Sequence, residues 1–223
     1  MSDVEPVIVV RDGARGELVL NRPARKNAIN GPLVDAFRAG LAALAGDPAI
    51  GAILVRGAEG VFSSGLDLKD MQADPPPAWR DGFQDGLTAL HGELFNCPRP
   101  IVAAVEAYAI NAGAALALGA DFMVIGEDAF FQIGEVRQGV AAPANLVWLS
   151  LKASRAATNQ LVLLGRRTPG PEMVRLGLAH AAVPGADVVA AARGLADELA
   201  GLPAEGKAAF GRRGPLPVLS REP

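Results

Sequence analysis

Hydrophobic positions along this chain alternate between short continuous runs and longer helical stripes. Residues 7–10 and 17–20 are β-rich runs joined by Arg11-Asp12-Gly13-Ala14-Arg15-Gly16, and an Asp-Gly pair between two such runs predicts a hairpin. Asn30-Gly31-Pro32 opens a stripe of Leu33, Phe37, Leu41 and Leu44. The asparagine suits the orphan amides of a helix start, the proline suits its first turn, and the spacing is helical. Asp47-Pro48 ends that helix. Ile53-Leu54-Val55 and residues 101–105 are unbroken apolar runs, the pattern of strands covered on both faces. Phe83, Leu87, Leu90 and Leu94 predict a second amphipathic helix, with His91 on its flank, ending before Pro98 and Pro100. Residues 114–119 predict a helix of small residues, and residues 122–125 and 129–132 further strands. From about Ala144 the pattern is mainly helical, with helices over 156–164, 171–176 and 186–199 and a short strand over 179–183. Three prolines at 75–77 mark an exposed loop, and the aperiodic segment 211–223 is expected to be loose. Strands alternating with helices give an α/β class.

The 223 residues suit one large domain, or one domain with an appendage. The longest weakly charged stretch, residues 101–118, is interrupted by Glu106 and Asn111 and does not read as a membrane span. Asp3 and Glu5 stand where a secretory signal would carry basic residues, so a cytoplasmic protein is expected. Cys97 is the only cysteine, which excludes an intrachain disulfide and a thiolate cluster, and two histidines argue against a multi-histidine metal site. A net charge of −3 gives no bulk attraction to nucleic acid or to an anionic membrane. With 26 glycines, 17 prolines and few aromatics, the chain is expected to pack closely and turn tightly.

Several familiar signals fail. Residues 201–208 nearly spell a phosphate-binding loop, but position 208 is Ala, which has no hydroxyl for magnesium, and the segment follows a helix. No dinucleotide fingerprint follows a strand, so no nicotinamide cofactor is expected. Ser63 and Ser64 are nucleophiles on one reading and turn residues on another. Two glycine-bearing corners follow buried strands: Val61-Phe62-Ser63-Ser64-Gly65-Leu66-Asp67-Leu68-Lys69 and Val105-Glu106-Ala107-Tyr108-Ala109-Ile110-Asn111-Ala112-Gly113. They read either as two tight turns or as two corners offering backbone amides to one oxyanion.

Five blocks in order resemble the crotonase family, the enoyl-CoA hydratase/isomerase group. These are Leu20-Asn21-Arg22-Pro23 with Asn27-Ala28, then Phe62 to Lys69, then Val105 to Asp121. Phe131-Gln132-Ile133-Gly134-Glu135-Val136 with Gly139 follows, and Leu163-Leu164-Gly165 through Val183-Pro184 closes the series. The resemblance covers about Val7 to Leu202. It implies a crotonase-like spiral of repeated β-β-α units over residues 1–200, with a shortened segment over 201–223. It implies an acyl-coenzyme A thioester as ligand, coenzyme A entering with the substrate and no separate cofactor, and a homotrimer or hexamer. Carried over residue by residue, it puts the oxyanion donors on the amides of Leu66 and Ala112 and the catalytic carboxylate on Glu135. Asp67, Leu68 and Lys69 fall near the coenzyme A path, with Lys26 a further candidate for its phosphate or adenine region.

Two departures bear on the reaction. Family hydratases carry a second glutamate shortly after the second donor, and the matching position here is Ala115. Alanine cannot bind or activate water, whereas one carboxylate suffices to shuttle a proton between the α and γ carbons. Isomerase-like chemistry is therefore favoured over efficient hydration. A noncatalytic acyl-CoA-binding paralogue, or a hydratase using another acid, are the alternatives. Glu106 occupies the family's asparagine position before the donor and is not a substitute, and Asp121 reads as structural. After Gly201-Leu202-Pro203 the family continues through further helices that cover the acyl site and build the trimer, where this sequence has residues 204–223.

Overall fold

The computed structural model describes residues 5–203. In order, the elements are β1 (Val7–Asp12), β2 (Arg15–Leu20), α1 (Gly31–Ala45), β3 (Ala52–Gly57), α2 (Leu68–Met71), α3 (Phe83–Phe95), β4 (Ile101–Val105), β5 (Tyr108–Ile110) and α4 (Ala112–Leu118). They continue with β6 (Phe122–Gly126), β7 (Phe130–Gln132), α5 (Pro143–Lys152), α6 (Arg155–Leu164), β8 (Thr168–Pro169), α7 (Gly170–Arg175), β9 (Ala181–Val183) and α8 (Val188–Gly201).

The predicted hairpin forms, with Val7 opposite Leu20 and Asp12 opposite Arg15 in antiparallel register. From β2 onward the large sheet is parallel, in the order β1-β2-β3-β4-β6-β9. A small second sheet runs β5-β7-β8. Its parallel pairing sets Tyr108 beside Phe130 and Ile110 beside Gln132. Two isolated parallel bridges, Ile29 with Leu66 and Ser63 with Ala109, link earlier segments along the same direction. Each turn of chain thus lays one strand in the large sheet, one extended piece beside its successor, and then a helix. That is a β-β-α spiral, and the α/β expectation holds.

Period-two alternation divides the sheet between two cores. Ile53 and Val55 of β3 and Ile101, Ala103 and Val105 of β4 face the larger core beneath α1, α3, α4 and α5. Ala52, Leu54, Val102 and Ala104 face Val188, Ala192 and Ala196 of α8. Alanines on both sides let that helix lie close to the strands. A buried carboxylate fixes it further: Glu17 accepts from Arg193 (2.7 Å), Arg56 (3.0 Å) and Arg15 (3.1 Å). Burial pushes the Glu17 carboxyl up, but the Arg193 and Arg56 guanidiniums outweigh it and hold it down at about 2.

The helix start at Asn30 is as read: its Oδ1 accepts from the Leu33 amide at 3.1 Å. His91 corrects the flank expectation. It is buried, and its Nδ1 accepts from Trp148 Nε1 at 3.0 Å, because α5 packs over the side of α3 that the stripe left open. β5, β8 and the one-turn α2 are too short to announce themselves by period. Most of the expected loose segment and the phosphate-loop decoy lies outside the described residues.

Candidate active site

The loop after β3 is held by side chains from the N-terminal block. Asn27 has a left-handed backbone (φ +52°) and is fully buried. Its Nδ2 donates to Val61 O (2.6 Å) and Ala58 O (3.1 Å), and its Oδ1 accepts from the Arg22 amide at 2.9 Å. Ser63 Oγ donates to Asn27 O at 2.8 Å and accepts from the Gly65 amide at 3.2 Å. With no exposed surface and its hydroxyl occupied on both sides, Ser63 is a turn residue rather than a nucleophile.

The two glycine corners pack directly against each other. Gly65 has φ +96°, and a Cβ there would lie 3.0 Å from Ile110 O. A Cβ on Gly113 would lie 2.7 Å from Ser63 Cβ and 2.9 Å from Ser63 O. Only glycine permits this approach. The bridge to Ile29 uses the Gly65 carbonyl and the Asp67 amide, each at 2.8 Å, and passes over the amide between them. The amides of Leu66 and Ala112 have no acceptor among the described residues, and both residues are half-buried. Two corners of backbone, in contact, therefore each leave at least one N–H unspent.

Glu135 opens a 3-10 turn, Glu135–Gln138, just beyond β7. Its Oε1 accepts from Asn145 Nδ2 at 3.1 Å, while Oε2 is buried without a partner among the described residues. Burial pushes the carboxyl above the usual carboxylate range. Its own backbone amide and the Asn145 amide offset part of that. Gly134 N donates to Asn111 Oδ1 (2.8 Å) and Asn111 N donates to Gln132 O (2.8 Å), so the Glu135 segment is fastened to the second corner. Ala115 is buried in the middle of α4 and brings no acid. Glu106 is also raised by burial, but the charge it feels is that of Arg56 on β3, and it makes no contact with Glu135 among the described residues. Asp121 accepts from the Ile101 amide at 2.9 Å, as a structural residue would.

The residues read as lining a coenzyme path divide. Lys26, Leu68 and Lys69 are exposed beside the first corner, and Lys26 O accepts from the Ser64 amide at 3.0 Å. Asp67 is turned inward. Its carboxylate is buried between Arg25 (2.6 Å) and Arg22 (2.9 Å), and it accepts from the Asp70 amide at 3.2 Å. Burial opposes its charge, yet these bonds hold the carboxyl down at about 2. Its partners lie over forty residues away in sequence, outside the block by whose resemblance Asp67 was expected near the coenzyme A path.

The family model for enoyl-CoA hydratase/isomerase matches residues 14–210. A probable enoyl-CoA hydratase of Mycobacterium bovis is 33% identical over 193 residues, covering 86% of this chain and 74% of that one. The carnitinyl-CoA dehydratase of Salmonella typhi is 33% identical over 199 residues, covering 87% and 74%. The solved structure of Pseudomonas aeruginosa PA4980 superposes with a TM-score of 0.88 at 28% identity, covering 95% of this chain and 92% of that one.

Proposed function

Since the chain belongs to the enoyl-CoA hydratase/isomerase family of acyl-CoA enzymes, we propose that it isomerises an enoyl-CoA double bond with Glu135 as the one proton carrier. The amides of Leu66 and Ala112 hold the thioester oxygen. Glu135 takes a proton from the α carbon of a 3-enoyl thioester, the electron pair delocalises onto that oxygen as a dienolate, and the proton returns at the γ carbon to give the conjugated 2-enoyl thioester. Two preorganised donors fit such an enolate, and loss of one typically costs about a hundred- to a thousandfold in rate. A half-buried carboxyl raised by desolvation is a stronger proton acceptor than a free one, as a proton carrier requires.

The observation carrying this reading is the environment of Glu135: an amide faces its Oε1, and the family's second acid position is the buried Ala115. Exposed Lys26 and Lys69 are proposed to meet the coenzyme A phosphates at the rim, with Leu68 along the same path. Assembly into a trimer or hexamer is proposed on exposed apolar side chains around the Glu135 turn, Val136 (41%), Val140 (58%) and Leu163 (64%). No helix among the described residues is long and apolar enough to cross a membrane.

The test is steady-state turnover of a 3-enoyl-CoA and of crotonyl-CoA by the same preparation. Isomerisation should exceed hydration, and Glu135→Gln should lower it by roughly a hundred- to ten-thousandfold. Robust hydration of crotonyl-CoA that survives Glu135→Ala would overturn the assignment.

A further inference from the structure

Asn145 is buried on α5 (1% exposed), in a stretch whose sequence carries no functional signal. Both protons of its side-chain amide are spoken for: one on Asn111 O and one on Glu135 Oε1, each at 3.1 Å. Both partners are acceptors, so the amide must face them with nitrogen, and the flipped orientation would set oxygen against oxygen. We infer that Asn145 is a positioning residue that holds the Glu135 carboxylate and the Asn111–Ala112 peptide in one fixed geometry.

The chemistry turns on that peptide. Asn111 C=O and Ala112 N–H belong to the same planar unit. The carbonyl accepts twice, from Asn145 Nδ2 and from the Ala115 amide at 3.0 Å. Hydrogen bonds onto a peptide oxygen polarise the unit and strengthen its N–H as a donor. The unit needs holding as well, because Asn111 sits at φ +53° and ψ −114°, a backbone region that costs a non-glycine residue about 1–3 kcal/mol. At the carboxylate, the same amide occupies Oε1 and leaves Oε2 as the atom open to a substrate proton. A purely stabilising role fits poorly, since Asn145 Oδ1 and Glu135 Oε2 are both buried without a donor among the described residues, an arrangement that costs stability. Among the described residues no charged side chain shifts the Glu135 carboxyl, and nearby Arg137 instead donates to Leu164 O on α6 at 2.8 Å. Asn145 is therefore the polar side chain through which the carboxylate's acidity is tuned.

This rests on the proposed role of Glu135, and the experiment separates the two. Asn145→Leu and the isosteric Asn145→Asp are compared with wild type and Glu135→Gln on a 3-enoyl-CoA, with circular dichroism melts as the check on folding. Asn145→Leu should lower kcat roughly 10- to 100-fold with KM changed less than about threefold, as loss of a charge-assisted hydrogen bond predicts. The acidic limb of its pH profile should move up by about one unit, and that of Asn145→Asp further, because a like charge then faces Glu135. If Leu is not tolerated in the fold, the Asp variant alone decides through its pH profile. A dead Glu135→Gln with wild-type kcat and pH limb in the folded Asn145 variants would overturn this inference and leave the role of Glu135 standing. Wild-type turnover in Glu135→Gln would overturn both.

Discussion

Lowering the pH should loosen this fold first at His91, and the size of the effect follows from its surroundings. The imidazole is buried, and Nδ1 accepts the Trp148 indole N–H at 3.0 Å, so the ring must be neutral with its proton on Nε2. Burial pushes its pKa down to about 4 from the ordinary 6.5. Above pH 6.5 neither the folded nor the unfolded chain binds a proton at this site. Between 6.5 and 4 the unfolded chain binds one and the folded chain does not, so stability falls as pH falls. Moving from pH 7 to pH 5 should cost about 2 kcal/mol, and the full loss below pH 4 is about 3 kcal/mol. With a urea slope of about 2 kcal/mol/M, the midpoint should drop by about 1 M between pH 7 and 5, at fixed protein concentration. Trp148 lies in the same contact, so its fluorescence reports the transition directly. Glu17 and Asp67, both held at about 2, contribute only below the ordinary carboxylate range, and the raised carboxyls of Glu106 and Glu135 act in the opposite sense in wild type and His91→Gln alike, so the difference between the two proteins isolates His91. His91→Gln keeps an acceptor for the indole without a titrating ring and should flatten the slope. A midpoint equally steep in pH for wild type and His91→Gln would refute the reasoning. The consequence reaches the site, because Trp148 and Asn145 share α5 one turn apart.

Three further outcomes are expected. Gly113→Val places a side chain where even a Cβ would lie 2.7 Å from Ser63 Cβ; it should cost about 1–3 kcal/mol in a melt and at least a hundredfold in kcat through displacement of the Ala112 amide. Asp67→Ala removes the buried acceptor that Arg22 shares with half-exposed Arg25, while Arg22 keeps Asp70 at 3.0 Å; it should destabilise by about 1–3 kcal/mol, whereas a ligand-contact residue would change KM and leave the melt alone. Lys26→Glu with Lys69→Glu should raise KM for the coenzyme A thioester with kcat intact, and the rise should shrink as salt is added.

The sequence was most informative where its period was long or its motif rigid. Leu33, Phe37, Leu41 and Leu44 specify one helical face, and Asn30 caps it as its position demands. Gly65 and Gly113 mark the two corners because no other residue fits the observed contact. Glu135 was singled out only by the resemblance of the block around it. What stayed hidden depends on partners distant in the chain. Asp67 was expected near the coenzyme A path from the resemblance alone, and its pairing with Arg22 and Arg25 had no local signal. His91 looked like a flank residue until α5 covered it. Asn145 is one polar residue between apolar neighbours, and only the packing of α5 beside α4 brings it to Asn111, 34 positions away. Its one sequence signal was a lone amide on a helical face whose other residues are core.

The central claim, one carboxylate carrying a proton across the acyl chain, is tested most directly by label transfer. A 3-enoyl-CoA deuterated at the α carbon should give 2-enoyl product with part of that deuterium at the γ carbon, and Glu135→Gln should give none. The account is contradicted if the γ carbon receives only solvent protons at every stage of turnover while 3-hydroxyacyl-CoA accumulates as the main product, and if that hydration persists in Glu135→Ala.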